Sequence, residues 1–251
     1  MRFGDVEQVA AGDGQLLWAA QGRGDGGLGP GVRAWRHGGA LAVASPGLSR
    51  RDRLAVTGGS ADAVVLVRQV LQEVGPSYRP FGEASLVDAL VRQTPGLVLV
   101  PSFFWMESAV PPGSVTGDVQ WLNPCLEPEL ESLFERFFPD SHAQPGREGV
   151  RRWAGVCGEA DGNAGEKGPL AVAADAWSAA GCGFLAGAVT HPVARGRGLA
   201  QAVCGFVVDA LVQRHGRAAL MVDACNAPAV AAYERLGMAK RLFAGAHVPG
   251  R

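Results

Sequence analysis

Gly187-Ala188-Val189-Thr190-His191-Pro192-Val193-Ala194-Arg195-Gly196-Arg197-Gly198-Leu199-Ala200-Gln201-Ala202-Val203-Cys204-Gly205-Phe206-Val207-Val208-Asp209-Ala210-Leu211 is the stretch on which the reading of this chain turns. An apolar strand ends at His191-Pro192, an arginine- and glycine-rich turn runs from Arg195 to Ala200, and a helix pattern follows. Leu199, Ala202, Val203, Phe206, Val207, Ala210 and Leu211 fall at i, i+3, i+4, i+7, i+8, i+11 and i+12, one wide apolar face. The first turn of a helix has N–H groups with no intrahelical partner, and they carry the positive end of the helix dipole. Gly196 and Gly198 place no side chain between those amides and an anion, while Arg195 and Arg197 add charge suited to phosphate oxygens. A solvated basic turn is the competing reading, because the chain holds 36 glycines. Two familiar phosphate binders fit poorly: Gln201 stands where a dinucleotide fingerprint needs glycine, and no Gly-Lys-Ser/Thr closes a triphosphate loop.

The turn Arg195 to Ala200 resembles the Arg/Gln-x-x-Gly-x-Gly/Ala signature of the GNAT N-acetyltransferases, the superfamily that moves an acyl group from coenzyme A to an amine. Arg195, Gly198 and Ala200 fill its defined positions, and Val189 to Pro192 is similar to the strand end before that loop. A second segment, Asn226 to Met238, resembles the family's Asn-x-x-Ala-x-x-x-Tyr-x-x-x-Gly-Phe; only Met238 departs, a mild apolar swap. The resemblance covers residues 117–251. It implies an α/β (α+β) GNAT fold, a mixed, mostly antiparallel sheet with splayed strands flanked by helices. It also implies acetyl-CoA as cosubstrate and no metal. Arg195, Gly196, Arg197, Gly198, Leu199 and Ala200 would then bind the cofactor, with the pyrophosphate on the amides of Arg197 to Ala200. Val189 and Thr190, with Asn226 and Ala229, would lie along the pantetheine arm, and Tyr233 would be the general acid for the departing thiolate. Asn226 also reads as a helix N-cap before Pro228, and the two roles are compatible. Tyr233 also reads as a packed core residue.

The rest of the chain sets bounds. Its 251 residues allow one large domain or two modest ones. With 23 Lys plus Arg against 24 Asp plus Glu, nothing suggests a nucleic-acid footprint. No apolar run approaches the roughly 18 residues of a membrane span, and the N-terminus lacks a signal-peptide core. Five cysteines without a Cys-x-x-Cys pair read as reduced thiols in a cytoplasm. Residues 1–110 read as a smaller α/β unit, a degenerate or half copy of the same fold that no longer holds coenzyme A, joined through 111–116. The pattern predicts a helix over Val6–Gln21 and a loop over Gly22–Gly31. It predicts a hairpin around His37-Gly38, a strand over Arg53–Thr57, a helix capped by Ser60, a helix over Ser85–Gln93 and a buried strand over Leu97–Val100. Phe103-Phe104-Trp105 reads as a core plug, a domain interface or a cleft wall. Further on come a helix over Pro128–Phe138, a turn over Asp161–Gly165, and strands over Arg152–Glu159, Leu170–Trp177, Gly183–Thr190, Ala218–Asp223 and, closing the sheet, Leu242–Val248.

Gly181 to Thr190 contains no carboxylate, so the base that would deprotonate an amine stays open among Glu159, Asp175, Asp223, His191 and His247. The expected function is transfer of an acetyl group to a small-molecule or peptide amine. The alternatives are a non-catalytic acyl-CoA sensor or scaffold, and an interaction module built on the N-terminal half. Nucleic acid and membrane are not expected partners, and a homodimer is left open.

Overall fold

The apolar runs of both halves meet in one sheet. The computed structural model describes residues 3–10, 12–23, 25–113, 117–159 and 167–249. The first half runs α1 (Phe3–Ala10), α2 (Gly14–Ala20), β1 (Arg33–His37), β2 (Ala40–Ser45), β3 (Arg53–Thr57), α3 (Ser60–Val74), β4 (Arg79–Glu83), α4 (Ala84–Gln93), β5 (Val98–Leu99) and β6 (Phe103–Ser108). The second runs β7 (Gln120–Trp121), α5 (Glu127–Phe137), β8 (Val150–Glu159), β9 (Lys167–Ala176), β10 (Gly183–Thr190), α6 (Leu199–His215), β11 (Ala218–Asp223), α7 (Ala227–Arg235) and β12 (Ala239–His247).

The strand order is β1-β2-β3-β4-β12-β6-β11-β10-β9-β8-β7, with β5 beside β12. Among the described residues only β3–β4 and β10–β11 pair in parallel. Each half thus repeats one order: three antiparallel strands, a helix, a parallel strand, a helix and a last strand. Those last strands cross over. β6 pairs with β11 from Ala218↔Ser108 to Asp223↔Phe103, β12 pairs with β4 through Phe243↔Glu83 and Gly245↔Phe81, and the two pair with each other between. The core follows the crossing. Trp18 of α2 stacks on Phe184 of β10 with centroids 4.4 Å apart, and Trp105 of β6 stacks on Phe243 of β12 at 6.0 Å. All four rings are buried, so the centre of the core draws on both halves.

Several local expectations need correction. The Val6–Gln21 helix is two helices, broken because Gly12 takes φ +83° and Asp13 caps α2, accepting from Gln15 N at 3.2 Å. The N-cap of α3 is Gly59, not Ser60, with no side-chain cap bond. The Leu97–Val100 run is not a buried strand: Val98 and Leu99 lie exposed beside β12, Val100 is half-buried and only Leu97 is buried. β12 does not close the sheet but sits in its middle. The Asp161–Gly165 turn, and 114–116 of the joining segment, lie outside the described residues.

The strand exchange carries a prediction. Residues 117–251 expressed alone lack β6 between β11 and β12, leaving both with unpaired backbone groups at the sheet's centre. Urea denaturation of that fragment is expected to show no cooperative transition, and co-expressed 1–116 to restore one. A cooperative transition from the fragment alone would refute the dependence.

Candidate active site

β10 and β11 pair only at Gly183↔Ala218 and Phe184↔Ala219 and then part. The cause lies on the other edge of β10. Its register with β9 shifts between Ala186 and Val189, and Gly187 there takes φ +64°. A Cβ on Gly187 would come within 2.7 Å of the Trp153 ring, so the bulge depends on glycine. Beyond Phe184 the strands form a wedge, β11 being held away by β6.

At the wide end of the wedge the chain turns through Pro192–Ala194 into α6. Gly196 and Gly198 take φ +74° and +76°, and nothing lies within 4 Å of where a Cβ would project from either. The N–H groups of Gly196, Arg197, Gly198, Leu199 and Ala200 donate to no protein acceptor among the described residues. The 17 residues of α6 direct their dipole at this corner. Arg197 is exposed beside it, whereas Arg195 Nε turns back to the Thr190 carbonyl at 3.4 Å. A diphosphate therefore fits the residues present. Val189 and Thr190 sit on β10 opposite Val172 and Ala171. Asn226 caps α7, its Oδ1 accepting from Ala229 N at 3.3 Å, and both residues also line the cavity described next.

The wedge opens into a cavity of about 530 Å³. Gly187 and Ala188 of β10 wall one part, with Asn226, Ala229 and Tyr233 of α7. Tyr233 is buried, and the Cys204 thiol of α6 is its electrostatic neighbour. Burial first, then Cys204, raises the phenol well above its ordinary value, and burial pushes the thiol up to about 12. Both keep their protons at neutral pH.

The other walls come from elements whose role the sequence did not reveal. Ser49, Arg51, Arg53 and Arg79 reach the cavity from the first half, and Asp140 and His142 from the loop after α5. Ser49 Oγ lies 3.3 Å from His142 Nδ1. Burial, then Arg51 and Arg53, lowers His142 below the ordinary imidazole value, which leaves it neutral at pH 7. Of the bases considered from sequence, only Asp223 lines this cavity. Asp175 is instead buried between Ser178 Oγ at 2.6 Å and Arg152 Nε at 3.4 Å. His191 is buried edge-on to Phe137, Glu159 ends β8 exposed, and His247 sits opposite Val98. Among the described residues no group of three His, Cys, Asp or Glu could hold a metal ion, and no helix is long and apolar enough to cross a membrane.

The turn after β3 occupies the matching place in the first half and is closed. A Cβ on Gly58 would strike the backbone of Ala40 and Gly39 at 2.6 Å, and Asp62 of α3 accepts from Gly39 N at 2.8 Å. A carboxylate at that helix start repels an anion rather than receiving one.

Residues 120–238 match the model of the acetyltransferase (GNAT) family. This part of the chain is a GNAT acetyltransferase domain, a class whose chemistry is acyl transfer. Solved structures of that class share the architecture over nearly the whole chain. A GCN5-related N-acetyltransferase from Kribbella flavida superposes with a TM-score of 0.60 at 16% identity, covering 97% of this chain and 96% of its own. A GNAT-family structure from Novosphingobium aromaticivorans gives 0.56 at 20% identity, covering 94% and 96%, and one from Sphaerobacter thermophilus gives 0.55 at 18%, covering 92% and 80%. No curated protein matches the sequence significantly.

A valine at Gly198 would strain a residue at φ +76° and set a side chain over the open amides. Gly198→Val is expected to weaken acetyl-CoA binding in calorimetry by about tenfold or more while moving the thermal midpoint only a few degrees. Unchanged affinity would remove this corner from the site.

Proposed function

We propose that the protein is an N-acetyltransferase that moves the acetyl group of acetyl-CoA to a primary amine of a small molecule or a protein, by direct attack in a ternary complex. The observation that carries the reading is the open amide corner at the start of α6, leading through the β10–β11 wedge to a cavity lined by Tyr233. Acetyl-CoA supplies a thioester, an acyl group already activated for transfer. The residues that would hold it are Gly196 to Ala200 at the diphosphate, Val189 and Thr190 along the pantetheine arm, and Asn226 and Ala229 beside it. Main-chain N–H groups at the Gly187 bulge, whose residues line the cavity, would receive negative charge on the acyl oxygen. Tyr233, which keeps its proton at neutral pH, gives it to the sulfur that departs. His142, neutral at pH 7 in the same cavity, takes the proton of the attacking amine.

The first half is read as a degenerate copy of the same fold, supported by the repeated element order and parallel pair, with its phosphate corner closed by Asp62. The free thiols fit a cytoplasmic site of action. A second reading, an acyl-CoA sensor, draws on the missing carboxylate of Gly183–Thr190 and is separated by turnover.

Thiol release from acetyl-CoA, followed against pH, tests the roles together. The lowered pKa of His142 sets the sign: the base form prevails above it, so kcat/KM falls as pH drops through a value below about 6.5, with a one-proton slope. His142→Gln is expected to abolish that limb and lower the rate by about 10²-fold or more, and Tyr233→Phe to lower kcat with little change in acetyl-CoA affinity. A limb that persists in His142→Gln, or full turnover by Tyr233→Phe, would remove that residue from the mechanism.

A further inference from the structure

The cavity's cationic wall is not explained by acyl transfer itself. Arg53 and Arg79 are Cα partners at the start of the parallel β3–β4 pair, and Arg51 precedes them on the same turn. The turn is strained: Ser49 and Arg50 take φ +51° and +61°, the left-handed region that non-glycine residues rarely occupy. Arg53 is fixed, its Nε donating to the Leu48 carbonyl at 3.0 Å and its guanidinium 5.6 Å from the ring centroids of both Trp18 and Phe81.

Other partly buried arginines have found carboxylates. Arg241 pairs with Asp13, Glu83 and Glu107, Arg217 with Glu107, and Arg152 with Asp175. Arg51, Arg53 and Arg79 form no ion pair among the described residues. Asp52 lies between them in sequence, but its Oδ1 accepts from Gly47 N at 3.0 Å. The acidic groups on the cavity wall are Asp140 and Asp223. Burial and the mutual repulsion of the three arginines push Arg53 down to about 10. Three arginines face two carboxylates on this wall with no ion pair between them among the described residues, and Arg53 and Arg79 are half-buried, so a bound anion would offset the cost of holding their charge there.

We propose that Arg51, Arg53 and Arg79 are the anion-recognising part of the acceptor site, and that the acceptor is a primary amine that also carries a carboxylate or phosphate group. The guanidinium fork matches both oxyacids, and holding that group would aim the amine at the thioester end of the cavity. This rests on the transferase reading.

The test uses the full-length protein with acetyl-CoA and four amines: glutamate, O-phosphoethanolamine, propylamine and 1,4-diaminobutane. One of the two anionic amines is expected to exceed the neutral and cationic ones by about 100-fold in kcat/KM, and which one does so separates carboxylate from phosphate. Arg51→Gln and Arg79→Gln are each expected to cut that advantage about tenfold while acetyl-CoA affinity stays within about twofold. The assignment is overturned if propylamine or diaminobutane serves as well, or if the variants leave the preference unchanged. It is also overturned if they weaken acetyl-CoA binding by the same factor, which would give the arginines to the coenzyme. If acetyl-CoA does not bind, or no amine is acetylated, the transferase reading has failed. Calorimetry with glutarate and with inorganic phosphate then decides the anion site by itself. Binding to the wild type that is lost in the double variant upholds it, and no binding overturns it.

Discussion

Everything the site can do depends on two parallel strands that stop pairing. β10 and β11 are joined at Gly183 and Phe184 and nowhere beyond. A backbone that gives up its ladder in the interior would ordinarily leave polar groups stranded. Here two features hold the strands apart: the Gly187 bulge redirects β10, and β6 occupies the far edge of β11. The wedge between them leads in one direction to the start of α6 and in the other to the cavity. A ligand with polar amides along its length would complete what the sheet leaves open.

The strand that keeps β11 in place belongs to the other half of the chain. β6 and β12 are exchanged across the middle of the sheet, and the aromatic core of Trp18, Trp105, Phe184 and Phe243 is shared between the halves. The same exchange brings Arg53 and Arg79, at the start of one parallel pair, to a cavity walled by the ends of the other. The turn after β3 in the first half is closed, yet that half supplies one wall of the cavity. In the proposed function, one half would hold the acyl donor and the other would contribute charge toward the acceptor.

The glycine corner at the start of α6 and the segment after β11 were legible in the sequence because they are local. Gly196, Gly198 and the apolar spacing of α6 lie within one stretch, and Asn226 and Tyr233 lie at a fixed distance after it. The limits of β10 and β11 were also readable, since continuous apolar runs bounded by Gly and Asp define them. The cationic wall of the cavity was not legible. Arg51, Arg53, Arg79 and His142 come from two distant segments, and only the strand exchange brings them to one cavity. Leu97–Val100 looked buried from its apolar run, but β5 packs on an edge of β12 where Val98 and Leu99 stay exposed, and one-dimensional pattern carries no sign of that. The break at Gly12-Asp13 could have been read from the capping preference of aspartate after glycine.

The most direct test of the account is a crystal structure of the protein with coenzyme A. The account predicts the diphosphate within hydrogen-bond distance of the Gly196 to Ala200 amides, the arm between β10 and β11, and the sulfur facing Tyr233. Coenzyme A bound at the Gly58 turn of the first half, or with its diphosphate away from the start of α6, would contradict it.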